Sequence, residues 1–209
     1  MADNDLVHVV DDDIDVRKSL GFLLATADFA VRLHESATAF LSTAPNNLDG
    51  CIVTDVRMPG IDGIEFLRQL RASGHTIPVI VMTGHADVAL AVQAMKEGAS
   101  DFIEKPFDDE MLIGAIRSAL ANRNQANAAH PQSADIRGRL ATLTERERQV
   151  LDGLVSGLPN KTIAYDLKIS PRTVEIYRAN TMTKMGATSL SELVRMALTA
   201  GVLEQARGD

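Results

Sequence analysis

Four polar groups in this 209-residue chain stand at the ends of short apolar runs. Asp11, Asp12 and Asp13 follow Leu6–Val10, and Asp55 follows Cys51–Thr54. Thr83 and Gly84 follow Val79–Met82, and Glu104, Lys105 and Pro106 follow Asp101–Ile103. Several carboxylates with room for water suit Mg²⁺, which takes a few oxygen ligands and keeps the rest of its shell hydrated. A charged lysine does not ligate a metal, but it pairs with a carboxylate or a phosphoryl oxygen. A carboxylate beside a bound cation is a competent phosphoryl acceptor. The expected product is an aspartyl phosphate on Asp55.

That chemistry needs the groups in one cleft, and the surrounding pattern supplies one. The apolar runs, with a weaker one at Ala30–Leu33, alternate with helically spaced segments near 14–27, 36–43, 62–72, 86–97 and 108–120. Five strand-like runs alternating with five helix-like ones predict an α/β fold with a parallel sheet covered on both faces. The first and third strands are the most uniformly apolar, as a central position requires. In a flavodoxin-like, doubly wound, five-stranded parallel sheet of order 2-1-3-4-5, strands one and three flank the switch in strand order. Ligands bind there, beyond the carboxyl ends of the strands.

Four separated strings carry a family resemblance: Val9–Asp12, Val53–Gly63, Met82–Gly84 and Lys96–Phe107. In this order they resemble a two-component receiver domain over about 120 residues. The resemblance implies that Asp55 is the phosphoacceptor and that Asp11, Asp12, Asp55 and the Arg57 backbone carbonyl hold Mg²⁺. It also implies that Thr83 binds a phosphoryl oxygen, that Lys105 pairs with that site, and that Phe102 is a rotating aromatic switch. Asp13 and Asp15 are instead expected to cap a helix. Met58-Pro-Gly-Ile is expected to be a turn after the active strand, and Pro106 to follow a cis bond. Cys51 reads as a small buried hydrophobe. His8, His34, His75 and His85 show no ligand spacing, although His85, two past Thr83, is placed to tune phosphate lifetime.

Composition bounds the rest. Apolar residues are 45% and charged residues 23%, enough to bury a core. No apolar run approaches the ~18 residues of a membrane span. The acidic start, with Asp3 and Asp5, lacks a basic n-region, and one cysteine excludes an internal disulfide or multi-cysteine zinc site. A soluble cytoplasmic protein is expected. The net charge of −7 is uneven: residues 1–123 carry 19 acidic and 10 basic side chains, residues 124–209 carry 9 and 11. Residues 136–200 hold 10 basic against 6 acidic. Two modules with different partners would give such a split. They are expected at 1–122 and 139–209, joined by a linker at 123–138 that is rich in Asn, Gln and Ala.

The second module reads as helical throughout. Thr144 and Glu147 form a capping box before Val150, Leu151, Leu154 and Val155 at helical spacing. Asn160 is the expected N-cap of a short helix through Lys168, and Ser170-Pro171 starts the next. Ser189 and Glu192 open a last helix. Two short helices, the second longer and basic, describe a helix-turn-helix, whose second helix enters the major groove. Val174, Tyr177 or Arg178, Thr181 and Met185 fall on the inward stripe. Arg172, Thr173, Glu175, Ile176 and Ala179 face outward, with Ile176 suited to a thymine methyl and Glu175 to cytosine N4. Lys161, Arg172, Arg178 and Lys184 suit phosphates.

Leu143–Leu151, Leu158–Leu167 and Ser170–Met185 resemble the LuxR-type DNA-binding domain, a small all-α helix-turn-helix unit, over about 60 residues. The family often has histidine where Tyr177 stands. Together the two resemblances imply a response regulator, similar to those of nitrogen fixation. Such a protein accepts phosphate from a cognate sensor histidine kinase, here a haem-based oxygen sensor, and dimerises on phosphorylation through its final helix, 189–200. It binds promoter DNA and works with RNA polymerase on nitrogen-fixation or microaerobic genes. An aspartate-nucleophile phosphatase uses a similar set but needs a carboxylate two residues after the nucleophile, where Arg57 stands. A DNA-binding protein with a vestigial receiver is the other alternative, and the full set of Asp11, Asp12, Asp55, Thr83 and Lys105 weighs against it.

Overall fold

The computed structural model describes residues 5–45, 48–84, 88–125 and 132–201. Contacts divide the chain into two units: Met1–Ala86 with Glu97–Ala128, and Asp87–Lys96 with Ala129–Asp209.

The strands are β1 (Leu6–Val10), β2 (Ala30–His34), β3 (Cys51–Asp55), β4 (Val79–Thr83) and β5 (Asp101–Glu104). They pair in parallel in the order β2-β1-β3-β4-β5, as the sequence pattern predicts. The helices α1 (Ile14–Thr26), α2 (Ala37–Thr43), α3 (Gly63–Ala72), α4 (Val88–Lys96) and α5 (Asp109–Gln125) follow their strands in turn. Every residue of β3 and β4 is buried, as sheet centres covered on both faces require. Side chains alternate across the sheet. Val7, Val9, Cys51, Val53, Ile80 and Met82 meet Leu20 and Leu24 of α1 and Leu112 and Ile116 of α5. On the opposite side, His8 packs edge-on against Phe40 of α2, which packs against Phe66 of α3.

Local chemistry sets the ends of these helices. The Asp13 side chain accepts from the amides of Asp15 and Val16 and caps α1; Asp62 caps α3 from Ile64 and Glu65. Pro59 and Gly60, the latter at φ +80°, turn the chain after β3. Gly63 brings α3 against β3 so closely that a Cβ there would lie 2.2 Å from the Asp55 carbonyl oxygen. The Lys105–Pro106 bond is cis, and Cys51 is a buried free thiol whose pKa burial pushes up to about 12.

Besides α4, the second unit has only helices as elements among its described residues: α6 (Gln132–Ala141), α7 (Glu145–Val155), α8 (Asn160–Leu167), α9 (Pro171–Met185) and α10 (Leu190–Thr199). Val150, Leu151, Leu154, Val155, Ile163, Val174, Met185 and Leu193 form its core. Two expectations are corrected here. The segment 123–138 is not all linker: α5 runs to Gln125, and α6 puts Ile136 and Leu140 into this core. Polar and alanine-rich composition hid Ile136, which lies four residues before Leu140, so the two dock one face of a helix. Asn160 is the first residue of α8, and Pro159 holds the N-cap position with no side-chain bond. Proline's fixed φ suits it to helix starts, so the cap falls one residue earlier.

Candidate phosphoacceptor site and nucleic-acid interface

The parallel register builds the acidic cleft. Val10 of β1 lies opposite Thr54 of β3, so Asp11 and Asp55, next in each chain, emerge side by side. Both are buried, at 2% and 8% exposure. The Lys105 ammonium joins them, at 2.6 Å from Asp55 Oδ1 and 3.3 Å from Asp11 Oδ2. Its amide donates to the Thr83 carbonyl at 2.6 Å, which fixes the start of the segment after β5 to the end of β4. The Arg57 amide donates to Asp55 Oδ2 at 2.6 Å, and the Asp13 amide to Asp11 Oδ1 at 2.9 Å.

The electrostatics follow from this packing. Burial pushes the Asp11 carboxyl above its usual range; the Asp13 amide and the Lys105 charge offset only part of that. Burial pulls the Lys105 ammonium toward neutrality, but the bonds and charges of Asp55 and Asp11 outweigh it and hold its pKa above the ordinary lysine value. The Thr83 hydroxyl is fully buried and has no hydrogen-bond partner among the described residues. An orphan hydroxyl is costly in a packed interior, and Thr83 sits at the carboxyl edge where an oxygen-rich ligand would meet it.

Asp12 is exposed, and Phe102 is half-buried on β5 opposite Val81. Among the described residues no three His, Cys, Asp or Glu side chains already form a metal cage. The cleft thus brings Asp11, Asp55 and Lys105 into contact and leaves Asp12 at its rim. His85 lies outside the described residues. One contributor was missed in the sequence: Arg17 donates through Nη1 to the Asp11 backbone carbonyl at 2.5 Å. Its only local signal is a cation near the start of a helix, where the dipole disfavours positive charge.

In the helical unit, α8 and α9 form the paired helices. Ser170 caps α9 through the Thr173 amide, with Pro171 at the first turn. Val174, Thr181 and Met185 are fully buried, which fixes the inward face. Lys161, Arg172, Glu175 and Ala179 are exposed, Ile176 is 55% exposed, and Arg178 is half-buried. Thr173 is half-buried, its hydroxyl within 2.8 Å of the Ser170 hydroxyl in the cap. Lys184 is exposed, and its ammonium donates to Glu147 at 2.7 Å and to the Thr142 carbonyl at 3.3 Å, which ties α9 to α7. Glu147, in turn, completes the Thr144 capping box. A lysine 37 residues from its partner carries no local sign of that pairing.

Residues 7–117 match the family model of the response regulator receiver domain. The chain belongs to the response regulators. Residues 141–197 match the luxR family of bacterial regulatory proteins, which makes it a regulator with a LuxR-type DNA-binding domain. Among similar proteins is the transcriptional regulatory protein FixJ of Azorhizobium caulinodans, 60% identical over 94% of this chain and 93% of its own. FixJ of Rhizobium meliloti is 58% identical over 93% of this chain and 96% of its own. The crystal structure of full-length FixJ from B. japonicum is 54% identical, covering 94% of this chain and 97% of that one, with a TM-score of 0.54. The family is one of transcriptional regulators, which are not enzymes in the usual sense.

Proposed function

We propose that this chain is a phosphorylation-activated, sequence-specific transcriptional regulator whose Asp55 accepts a phosphoryl group from a sensor histidine kinase. The observation that carries the proposal is the Lys105 ammonium shared by two buried carboxylates, beside a buried Thr83 hydroxyl that lacks a partner among the described residues. In the transfer, an Asp55 oxygen attacks phosphorus, the P–N bond of the kinase's phosphohistidine breaks, and the imidazole leaves. Lys105 then pairs with the phosphoryl oxygens, and Thr83 donates a hydrogen bond to one of them, which it makes to none of the described residues. Phe102, half-buried beside Thr83's strand, repacks as the threonine moves.

The buried carboxylates of Asp11 and Asp55 and the exposed one of Asp12, with the Arg57 carbonyl, are hard oxygen donors that fit Mg²⁺. When bound, that ion would neutralise the charge that develops on the phosphoryl oxygens. The Asp11 pKa is raised even with Lys105 beside it, because burial outweighs that charge, so the carboxylate would gain from a second cation. Phosphorylation shifts the chain toward a dimer that binds promoter DNA through α9 and engages RNA polymerase. The shift is as large as the differential affinity of phosphate for the two states. Similarity to FixJ favours nitrogen-fixation or microaerobic genes, a haem-based oxygen-sensing kinase and a cytoplasmic setting. No helix among the described residues is long and apolar enough to cross a membrane.

The test is sedimentation mass and DNA affinity of the full chain with and without Mg²⁺ and beryllofluoride, beside Asp55→Asn. A mimic-dependent dimer with tighter DNA binding, absent in the variant, is expected. DNA binding that ignores the mimic would overturn the phosphorylation switch.

A further inference from the structure

Tyr165 is the most exposed large apolar side chain of the described residues, at 85%. A tyrosine left standing in solvent on a helix of a small bundle gains nothing from the core. Lys161, one turn before it on α8, and Lys168, which ends that helix, are exposed too, as is Arg172 at the start of α9. Asp166 is the exposed acid of the same helix and lies about 100° round from Tyr165, whereas Lys161, four residues before, lies on the same face. Lys168 ends α8 in the left-handed conformation, at φ 56°, which bends the chain sharply toward α9. The exposed ridge therefore offers a cation, a phenol hydroxyl and a second cation in succession.

We infer that Tyr165 is a DNA-contacting residue whose hydroxyl donates to a backbone phosphate oxygen, with Lys161 beside it on the next phosphate. The inference rests on the DNA-binding role proposed above and deepens it. In a helix-turn-helix the first helix crosses the sugar–phosphate backbone while the second enters the groove. Tyrosine hydroxyls are among the groups that make such contacts, which position the protein and carry no sequence information. Positive charge on both sides of the phenol complements the phosphates. The flat ring, lying on the sugar edge, keeps water from the contact. The task of Tyr165 is thus positioning, and it differs from that of Ile176 and Glu175 on α9.

The test is fluorescence anisotropy of the full chain on two short labelled duplexes of unrelated sequence, over a potassium chloride titration. Because Tyr165 is exposed, Tyr165→Phe and Tyr165→Ala fold as the native chain does. Tyr165→Phe is expected to weaken binding about tenfold on both duplexes, the loss of one hydrogen bond to a charged group. It leaves the salt slope unchanged, because a hydroxyl releases no counterion. Lys161→Gln lowers that slope by about 0.9. Native affinity in both Tyr165 variants, with the native chain binding duplex DNA, would overturn this inference alone. A native chain that ignores both duplexes would overturn it together with the DNA-binding role.

Discussion

One ammonium, that of Lys105, screens two buried carboxylates at 2.6 and 3.3 Å. Lys105→Ala leaves Asp11 and Asp55 facing each other and should cost about 2 kcal/mol of stability. Added Mg²⁺ should then raise the urea midpoint of the variant by more than that of the native chain. Equal shifts would mean that lysine and metal do not serve the same two groups. Thr83 gives an opposite sign. Removing its orphan hydroxyl in Thr83→Val should stabilise the free chain by about 1 kcal/mol while weakening its response to beryllofluoride; a lowered midpoint would show that the hydroxyl is satisfied. His8 gives a pH dependence. Its ring, 4% exposed and 3.1 Å from His34, has its pKa lowered to about 4 by burial, then by the charges of His34 and Arg32. Between pH 4 and 6.5 the unfolded chain binds the extra proton, so stability rises with pH across that window, by on the order of 3 kcal/mol. Urea midpoints should fall from pH 6.5 to pH 4, and less steeply in His8→Leu.

At the scale of elements, the last turn of α9 is held from two sides. Arg139 of α6 donates to the Met185 carbonyl at 2.8 Å, and Lys184 reaches back to Glu147 of α7. A hydrogen bond from Lys184, and then the Thr144 amide, keep the Glu147 carboxyl below its ordinary range. The stability this supplies is present at neutral pH and is lost as pH falls through the lowered value. Lys184→Met should leave a buried carboxylate unpaired and cost about 2 kcal/mol, read by thermal unfolding of the helical unit. The salt dependence of DNA binding should stay as in the native chain. A slope reduced by about one phosphate would instead place Lys184 on DNA.

For the whole molecule, the decisive boundary is where the second core starts. Ile136 and Leu140, each 6% exposed, pack with Val150, Leu154 and Met185. A fragment beginning at 139 loses Ile136 from that core, and one beginning at 132 keeps it. The longer fragment should be more stable by about 2–4 kcal/mol, the scale of deleting a buried isoleucine. Matching melting curves would make α6 dispensable. The charge split along the chain belongs at this scale too: an acidic receiver and a net-basic helical unit suit a phosphoryl site and a polyanion, respectively.

Much of this was local enough to be read along the chain. Five short strand-like runs alternating with helical segments predicted the parallel sheet, and the most uniformly apolar of them marked its centre, because only central strands are covered on both faces. The groups at their ends followed from the same register, as Asp11, Asp55, Thr83 and Lys105 stand one residue beyond or at the last of each strand. Caps such as Asp13, Thr144 and Ser170 reach only two or three residues, so spacing alone reveals them. Tertiary structure decided what depends on residues distant in the chain. It gave Lys184 to Glu147, tied Arg17 to the Asp11 carbonyl and folded α6 into the second core. It also left Tyr165 in solvent and the Thr83 hydroxyl without a partner among the described residues. Periodicity says which face of an element is apolar; it does not say which charge across the fold will be close enough to be paired, and that distance is fixed only by packing.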